Sequence, residues 1–174
     1  MATLIKNAKI EADSWLPLER AADGSLPAIP DSGDLIVPLA LWQAAAGALL
    51  AHPGRLGIRL ESGEEPSSIA DSLQAFGVIA VHFPHFTDGR GYSTARLLRE
   101  RYGWRGELRA IGDVQRDQLY YLSRCGFDAF ELKDGIDAEA ALSAFGDFSE
   151  AYQTSVERPL PLFRRRGEEG GLKP

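Results

Sequence analysis

Residues 83–112 read FPHFTDGRGYSTARLLRERYGWRGELRAIG, and this stretch decides the predicted fold. It begins at the end of an apolar strand, passes through a loop of glycines and polar side chains, and enters a helix rich in arginine. A tight turn then leads into a second strand. A strand, a helix and another strand with short links predict two parallel strands joined by a right-handed crossover.

The same alternation of strands and helices continues on both sides of this stretch. Apolar runs and helical spacing predict strands at residues 34–37, 56–60, 78–83, 107–111 and 127–132, and helices at residues 38–51, 67–76, 92–102, 113–125 and 137–148. The sequence therefore predicts an α/β fold with about four βα units in a parallel sheet. Two arrangements of the sheet fit this order, an open doubly wound sheet and a half-barrel.

The two ends of the chain differ from this pattern. Residues 4–18 alternate between apolar and polar positions and break at residues 12–14, which predicts an N-terminal β-hairpin within residues 1–18. We expect a single domain over residues 1–152. Residues 153–174 include PLPLFRRRGEEGG and have no periodicity, so a loosely attached or disordered tail is expected there.

The composition of the chain argues against nucleic acid and membranes as partners and indicates a cellular compartment. The 174 residues have a formal net charge of −6, so we expect no binding to nucleic acid. No apolar window approaches the roughly 18 residues of a membrane span, so no membrane association is expected. The single cysteine, Cys125, excludes an internal disulfide and is typical of a reducing compartment. We therefore expect a cytoplasmic protein.

The loop after the strand at residues 78–83 is the first candidate site. Its glycines would let backbone amides approach a ligand, and the helix that follows has a positive N-terminal end. Its arginine adds donors suited to a small anion such as phosphate, sulfate, sulfite or carboxylate. The predicted anion-binding residues of this loop are Gly89, Arg90, Gly91, Tyr92 and Ser93. The alternative is a tight loop in which Asp88 caps the helix and Arg90 pairs with Asp88.

A second loop follows the next strand and reads GDVQRDQ, at residues 112–118. Because the C-terminal ends of parallel strands share one edge of a sheet, we expect the two loops to lie side by side. This arrangement adds Arg116 and Gln118 to the anion site. It also makes Asp88 and Asp113 the candidates for a catalytic general acid or base, and Asp113 is expected to cap the helix that follows.

Four other residues have predicted roles in packing. On the helix predicted at residues 92–102, Leu97 falls on the apolar face and Arg99 on the opposite face. Arg109 lies in the middle of a strand, where an arginine is costly unless a partner or a sheet edge accommodates it. Cys125 falls on the core side of a helix, so we expect it to be buried.

The sequence shows no motif of a known cofactor. The glycines of the first loop fit neither the dinucleotide-binding pattern nor the phosphate-binding pattern, so no NAD or flavin motif is visible. A single cysteine excludes an iron–sulfur cluster held by this chain alone, and no haem-ligand motif is present. His82, His85 and Asp88 include too few metal ligands to predict a metal site. The sequence therefore does not indicate which cofactor, if any, the protein uses.

Residues 86–132, FTDGRGYSTARLLRERYGWRGELRAIGDVQRDQLYYLSRCGFDAFEL, closely resemble the core of a bacterial family of uncharacterised function. The family is labelled as oxidoreductases of sulfite reduction, and its genes lie beside the gene of the sulfite reductase haemoprotein. The resemblance implies a role in sulfur assimilation and the haemoprotein as a partner, but no catalytic residues. The motif positions are Asp88, Gly89, Arg90, Gly91, Tyr92, Ser93, Arg109, Gly112, Asp113, Arg116, Asp117 and Gln118.

Three functions fit these features. The first is an accessory protein of assimilatory sulfite reduction that binds or assists the sulfite reductase haemoprotein. The second is an enzyme, an oxidoreductase by the family label, that acts on an anionic substrate at the C-terminal edge of the sheet. The third is a structural scaffold without catalysis. We favour the first, because the resemblance points to the reductase and the sequence shows no redox ligands.

Overall fold

The computed structural model describes residues 3–133, 135–146, 154–156, 158, 160, 161 and 164. Its strands are β1 (Leu4–Lys6), β2 (Lys9–Glu11), β3 (Trp15–Pro17), β4 (Asp34–Pro38), β5 (Leu56–Leu60), β6 (Val78–Phe83), β7 (Glu107–Gly112) and β8 (Ala129–Glu131). Its α-helices are α1 (Leu39–Leu50), α2 (Arg90–Arg96), α3 (Leu119–Cys125) and α4 (Ala138–Leu142). Short 3₁₀-helices cover Pro66–Ala75, Arg116–Gln118 and Ser143–Gly146.

The strands form one eight-stranded sheet in the order β2-β1-β8-β7-β6-β5-β4-β3. Strands β3 to β8 are parallel, and each pairs with its neighbour in the sequence. Because each right-handed crossover advances the chain in the same direction, the helices collect on one side of the sheet. The predicted α/β fold with a mostly parallel sheet is confirmed, and of the two arrangements the half-barrel is the one observed.

The predicted N-terminal hairpin is confirmed, but its turn lies earlier than expected. Strands β1 and β2 pair antiparallel around Asn7 and Ala8, whose φ angles of 50° and 57° fit a two-residue hairpin turn. Alanine is not a typical residue for positive φ, so composition did not reveal this turn. The break at residues 12–14 instead links β2 to β3, which pairs with β4 at the far end of the sheet.

The link at residues 12–14 shows how strongly the sheet curves. It joins β2 to β3, although these strands stand at opposite ends of the strand order. A flat sheet of this size would separate its edges by roughly 34 Å, at about 4.8 Å per strand. The four residue steps from Glu11 to Trp15 reach only about 14 Å. The sheet therefore curls until its two edges approach each other.

The outer face of the sheet, which packs against the helices, carries the main hydrophobic core. Fully buried residues from successive strands meet there, among them Ile5, Leu35, Ile58, Ile79, Leu108 and Phe130. They are covered by Leu98, Leu119 and Leu122 from the helical side. Burying each side chain of this size contributes about 1.5–3 kcal/mol, so the outer face supplies most of the stability of the fold.

The inner, concave face has a separate and smaller apolar core. Ile36, Val78, Ala80 and Ile111 pack together there, and Trp15 of β3 packs against them. These residues alternate along their strands with residues of the outer core, as the pleat of a β-sheet requires. The inner face is therefore only partly apolar, and its remaining positions carry charged side chains.

Arg109 is the most deeply buried of these charged residues, with 1% of its surface exposed. Its Nη1 atom lies 2.6 Å from Asp13 Oδ2, and its Nη2 atom lies 2.7 Å from Glu107 Oε1. Glu107 also pairs with Lys6 of β1 at 2.8 Å. Arg109 thus has the partners that a mid-strand arginine needs, and it ties β7 to the link between β2 and β3.

The helix after β6 departs from the predicted amphipathic pattern. Leu97 is exposed and Arg99 is buried, so the predicted orientation of these two residues is wrong. A π-helical turn covers Leu97–Arg101, and a turn of this kind rotates the positions that follow relative to an α-helix. Arg99 tolerates burial because it donates to three backbone carbonyls and pairs with Asp128 at 2.9 Å.

Two further features concern the helices and the C-terminal residues. None of the helices in the described part of the chain combines the length and apolar character needed to cross a membrane. Most of the predicted tail at residues 153–174 lies outside the described residues. Where it is described, the Val156 amide donates to the Arg124 carbonyl at the end of α3.

Replacing Arg109 by methionine is expected to destabilise the protein by about 3–5 kcal/mol, because Asp13 and Glu107 lose their common cation. Urea unfolding at pH 7 measures the free energy of unfolding. Arg96→Met is the matched control, since the exposed Arg96 pairs with Glu100 one helical turn away, and such pairs contribute about 0.5 kcal/mol or less. Equal losses in both variants would contradict this role of Arg109.

Candidate functional site

The loop between β6 and α2 contains a close pair of opposite charges. The Arg90 guanidinium donates to both oxygens of Asp88, with Nε 3.0 Å from Oδ1 and Nη2 2.6 Å from Oδ2. The backbone amide of Arg90 also donates to Oδ1 (3.1 Å), so the Asp88 carboxylate satisfies an amide at the start of α2. The hydrogen bond from Arg90 holds the pKa of Asp88 well below its usual range.

The two glycines of this loop have different surroundings. A Cβ atom on Gly91 would lie 2.5 Å from the Phe83 ring, so glycine at this position lets α2 approach β6. The space that a side chain at residue 91 would need is thus filled by the ring of the core residue Phe83. A Cβ atom on Gly89 would meet nothing within 4 Å, so the space beside it is open. Ser93 is exposed on α2, and the Tyr92 amide donates to the Gly89 carbonyl.

The loop after β7 meets the first loop at the backbone of Phe86. The Phe86 amide donates to Asp113 Oδ2 (3.0 Å), and Gln118 Nε2 donates to the Phe86 carbonyl (2.9 Å). Gln118 Nε2 also donates to Tyr92 Oη at 3.2 Å. The structure therefore places the two predicted loops side by side and joins them through Phe86, Gln118 and Tyr92.

The charged side chains of the second loop have partners of their own. Asp113 Oδ1 lies 2.8 Å from Lys133 Nζ, and this hydrogen bond lowers the pKa of Asp113. Arg116 Nη2 donates to Ser143 Oγ at 2.9 Å. The contact between the two loops thus runs through the backbone of Phe86, whose amide donates to the charged Asp113. An anion that binds Arg90 at this edge would have to compete with the carboxylate of Asp88.

The helix after this loop begins later than the sequence predicts. Its first turn is Arg116–Gln118, and Gln115 and Gln118 satisfy each other's backbone amides in a capping box. Asp113 was expected to cap this helix. Its carboxylate instead accepts from the Phe86 amide and from Lys133, which leaves the capping role to Gln115.

Aromatic side chains lie on the outer surface next to the two loops. Phe86 and Tyr121 are each 54% exposed. The ring of Tyr92 lies 5.2 Å from the ring of Tyr121, and Gln118 connects the Tyr92 hydroxyl to the backbone of Phe86. We refer to Phe86, Tyr92 and Tyr121 as the aromatic surface. Sequence reasoning included Tyr92 for its place at the start of the helix and overlooked the other two.

A second polar cluster lies on the inner face, where β5 and β6 end. His82 Nδ1 is 2.6 Å from Glu61 Oε2, and because a carboxylate only accepts, Nδ1 carries the proton. The hydrogen bond from His82 lowers the pKa of Glu61. The other carboxylate oxygen, Glu61 Oε1, lies 2.7 Å from Arg59 Nε. One carboxylate therefore holds His82 and Arg59 in place.

Arg59 and Arg109 stand in one row across the inner face. In the register of the sheet, Ala80 lies beside Arg59 on one side and beside Arg109 on the other. The small side chain of Ala80 leaves space for both arginines. Burial raises the pKa of Glu131, at the end of β8, and the nearby Arg109 partly offsets this rise. The inner face is thus a row of buried and half-buried charges.

Sequence reasoning missed the cluster of Arg59, Glu61 and His82 because its members come from different strands. A signal was nevertheless present. Arg59 in LGIRL and His82 in VIAVHF are polar residues at alternate positions of apolar strands, in the same way as Arg109 in ELRAI. Polar residues with this spacing share one face, and on a covered face each requires a partner.

Cys125 is buried, as predicted, and burial raises the pKa of its thiol. Over the residues that the structure describes, no group of three or more His, Cys, Asp and Glu side chains is arranged to hold a metal ion.

Replacing Glu131 by glutamine is expected to increase the stability of the protein at pH 8 and to change it little near pH 4. An acid whose pKa rises on folding stabilises the folded state below its unfolded pKa, about 4.3, and that contribution is lost as the pH rises through the folded pKa. Glutamine lacks this titration. Urea unfolding at both pH values measures the difference.

The exposed Glu139 provides the control for this experiment, because Glu139→Gln should leave the pH dependence of stability unchanged. A Glu131→Gln variant that is less stable than the parent protein at pH 8 would show that the carboxylate of Glu131 stabilises the fold.

Comparison with models of protein families matches this chain to the family described as "Bacterial protein of unknown function (DUF934)". The match covers residues 57–163, which include both loops and the cluster of Arg59, Glu61 and His82. No curated protein matches the sequence. The description of the family names no activity. Because the matched region is more than half of the 174 residues, the chain belongs to this bacterial family of unknown function, DUF934.

Proposed function

We propose that this protein is a cytoplasmic accessory protein of assimilatory sulfite reduction, which binds or assists the sulfite reductase haemoprotein. Two observations support the proposal. The first is the resemblance of residues 86–132 to a bacterial family labelled as oxidoreductases of sulfite reduction. The second, which carries the proposal of a binding role, is the exposed aromatic surface within the same residues.

The aromatic surface has the composition of a protein-binding site. Aromatic residues are enriched at the centres of interfaces between proteins, where a few large side chains supply most of the binding energy. Phe86 and Tyr121 each expose about half of their surface and are available to a partner. Arg90 and Arg96 lie two residues before and four residues after Tyr92 and give the surface a charged rim. A polar rim around an aromatic centre is typical of such sites.

The charged groups at the neighbouring loops agree with binding rather than with turnover. Asp88 is paired with Arg90, and Asp113 is paired with Lys133. Both pairs lower the pKa of the aspartate, which makes each carboxylate a weaker base than an unpaired aspartate. The loops are therefore better suited to fix the shape of the aromatic surface than to move protons.

Replacing Phe86 or Tyr121 by serine is expected to weaken binding to the haemoprotein at least about tenfold, because a central aromatic residue of an interface commonly contributes more than about 1.4 kcal/mol. Isothermal titration calorimetry with the purified haemoprotein from the same bacterium measures the dissociation constant. Neither variant removes a core side chain, so both should unfold at the temperature of the parent protein.

Leu50→Ser is the matched control for these variants. Leu50 is 61% exposed at the end of α1, and its replacement should leave the dissociation constant unchanged. The proposal fails if the unaltered protein shows no binding to the haemoprotein at micromolar concentrations. An equal loss of affinity in all three variants would show that the aromatic surface is not the interface.

A second candidate function is an enzyme, an oxidoreductase by the family label, that acts on a small anion at the C-terminal edge of the sheet. The observation that favours it is the contact between the loops after β6 and β7, which places Asp88 and Asp113 at one edge. Arg90 would bind the anion, and its side chain is 64% exposed. Gly89, Tyr92, Ser93, Arg116 and Gln118 would complete the anion site.

Sulfite at millimolar concentration should raise the melting temperature of the protein if Arg90 binds anions, and Arg90→Ala should abolish this shift. Differential scanning fluorimetry measures both. Arg96→Ala is the control, because Arg96 is also exposed and paired with a carboxylate. An equal shift in the Arg90→Ala protein would rule out this site. Unchanged sulfite-dependent growth after Arg90→Ala and Asp113→Ala would favour the third function, a structural scaffold.

A further inference from the structure

Leu97 adds an exposed apolar side chain next to the aromatic surface. The π-helical turn at Leu97–Arg101 leaves 40% of this leucine exposed, although the spacing of an α-helix would put it on the apolar face. Such turns are frequent at functional sites. Leu97 follows Tyr92 by five residues, so it lies about 7.5 Å further along the helix axis. The exposed apolar area therefore extends from the two loops along the helix.

The region that carries this apolar area is positively charged in an otherwise acidic protein. Residues 86–125 contain eight arginines, no lysine and five acidic residues, which gives them a net charge of +3. Since the whole chain has a net charge of −6, the other residues together carry −9. An acidic partner is therefore repelled by most of the protein and attracted to this region.

The available positive charge lies away from the loop after β6. Arg90 is paired with Asp88 in that loop. It also donates to Ser62 Oγ in the loop after β5, which contains Glu64 and Glu65 as well. These acids offset the charge of Arg90, so a partner meets a positive surface only further along the helix.

Arg96 and Arg101 supply this positive surface on either side of Leu97. Arg96 is 54% exposed and donates to a single oxygen of Glu100, at 3.0 Å and 3.3 Å. An exposed pair of this kind contributes little, so the carboxylate of a partner can replace Glu100. Arg101 is exposed, and within the described residues no carboxylate pairs with it. Its guanidinium lies 5.7 Å from the centre of the Tyr102 ring.

The surroundings of this surface favour a helical partner. Tyr92 packs on β6 through Phe83, and β6 and its neighbour β7 each have a strand on both sides. No open sheet edge is thus available beneath the surface to pair with the backbone of an extended segment. A helix satisfies its own backbone hydrogen bonds and presents apolar side chains on one face.

The distribution of charge also favours a protein segment over a membrane. An anionic membrane offers negative charge too, but it is a wide plane that would approach the acidic remainder of the chain as well. A single helix contacts only the surface around Leu97 and Tyr121.

We propose that the aromatic surface and Leu97 together bind an acidic amphipathic helix of a partner protein. The apolar face of that helix packs against Tyr121 and Leu97, and its carboxylates pair with Arg96 and Arg101. The inference rests on the proposed function only for the identity of the partner, the haemoprotein. It adds the kind of segment that the partner presents.

A stapled helical peptide of leucine and glutamate is the probe, and the same peptide with lysine in place of glutamate is the comparison. In two-dimensional nitrogen–proton spectra, the acidic peptide should shift the amide signals of Arg96, Leu97 and Tyr121, with half-saturation at or below about 1 mM. Added sodium chloride should weaken this binding, because salt screens exposed charges. The absence of a saturable shift, or equal binding of the basic peptide, would overturn the inference. Tighter binding of phosphatidylglycerol vesicles would overturn the choice of a protein segment.

Variants locate the binding of the acidic peptide. Arg101→Glu and Leu97→Ser should each weaken it at least about fivefold. Lys9→Glu is the control for the change of charge, since Lys9 is exposed on β2, three strands away from β7. Leu50→Ser is the control for the loss of an exposed leucine. Equal losses in the variants and their controls would contradict binding at this surface.

Titration with the purified haemoprotein separates this inference from the proposed function. If the acidic peptide binds at these residues and the haemoprotein does not bind, the proposed partner is wrong and the acidic helix stands as the kind of partner. If the haemoprotein binds and the acidic peptide does not, the proposed function stands and this inference fails.

Discussion

The curvature of the sheet depends on the buried guanidinium of Arg109. This cation meets Asp13 from the link between β2 and β3, and Glu107 from its own strand. Removing a charge from water costs several kcal/mol unless the charge is closely paired. Asp13 can pair with Arg109 only when the link between β2 and β3 lies across the inner face, so the buried charges favour this position of the link. A buried network of this kind contributes less to net stability than to the choice of one closed arrangement. The apolar residues of the outer face would tolerate several curvatures.

This constraint divides the half-barrel into two faces with different properties. The outer face packs against the helices and carries the main hydrophobic core. The inner face is sealed only in its middle, where Trp15 packs against a small apolar core. Beyond that core, toward the C-terminal ends of the strands, Arg59, Glu61 and His82 remain next to an open cavity. The fold therefore places a cluster of paired charged groups at the end of the strands where barrel proteins bind ligands.

The outer face could be predicted from the sequence, because short apolar runs such as VIAVHF and LGIRL indicate by themselves that a strand is buried. The pairing of Asp88 with Arg90 was also foreseen as one alternative, since its partners are two residues apart. The choice between a half-barrel and a doubly wound sheet depends on strand order, which no local pattern records. The same holds for Arg109 and Asp13, which lie 96 residues apart. The π-helical turn that exposes Leu97 and buries Arg99 could not be predicted either. Arg99 is stable in the interior only because it donates to the carbonyls of Gly106 and Gly126, which belong to later parts of the chain.

Strand β6 connects the aromatic surface with the cavity of the inner face. Its last residues, His82 and Phe83, point to opposite faces: His82 holds Glu61 beside the cavity, and the Phe83 ring packs 5.5 Å from Tyr92 of the aromatic surface. Gly112 fixes this strand end, since φ is 94° there and a Cβ atom would lie 2.5 Å from the Phe83 carbonyl oxygen and 2.6 Å from the His82 ring. Because β5 and β7 hold β6 on both sides, its end has little freedom to move. The two surfaces therefore keep a fixed relation.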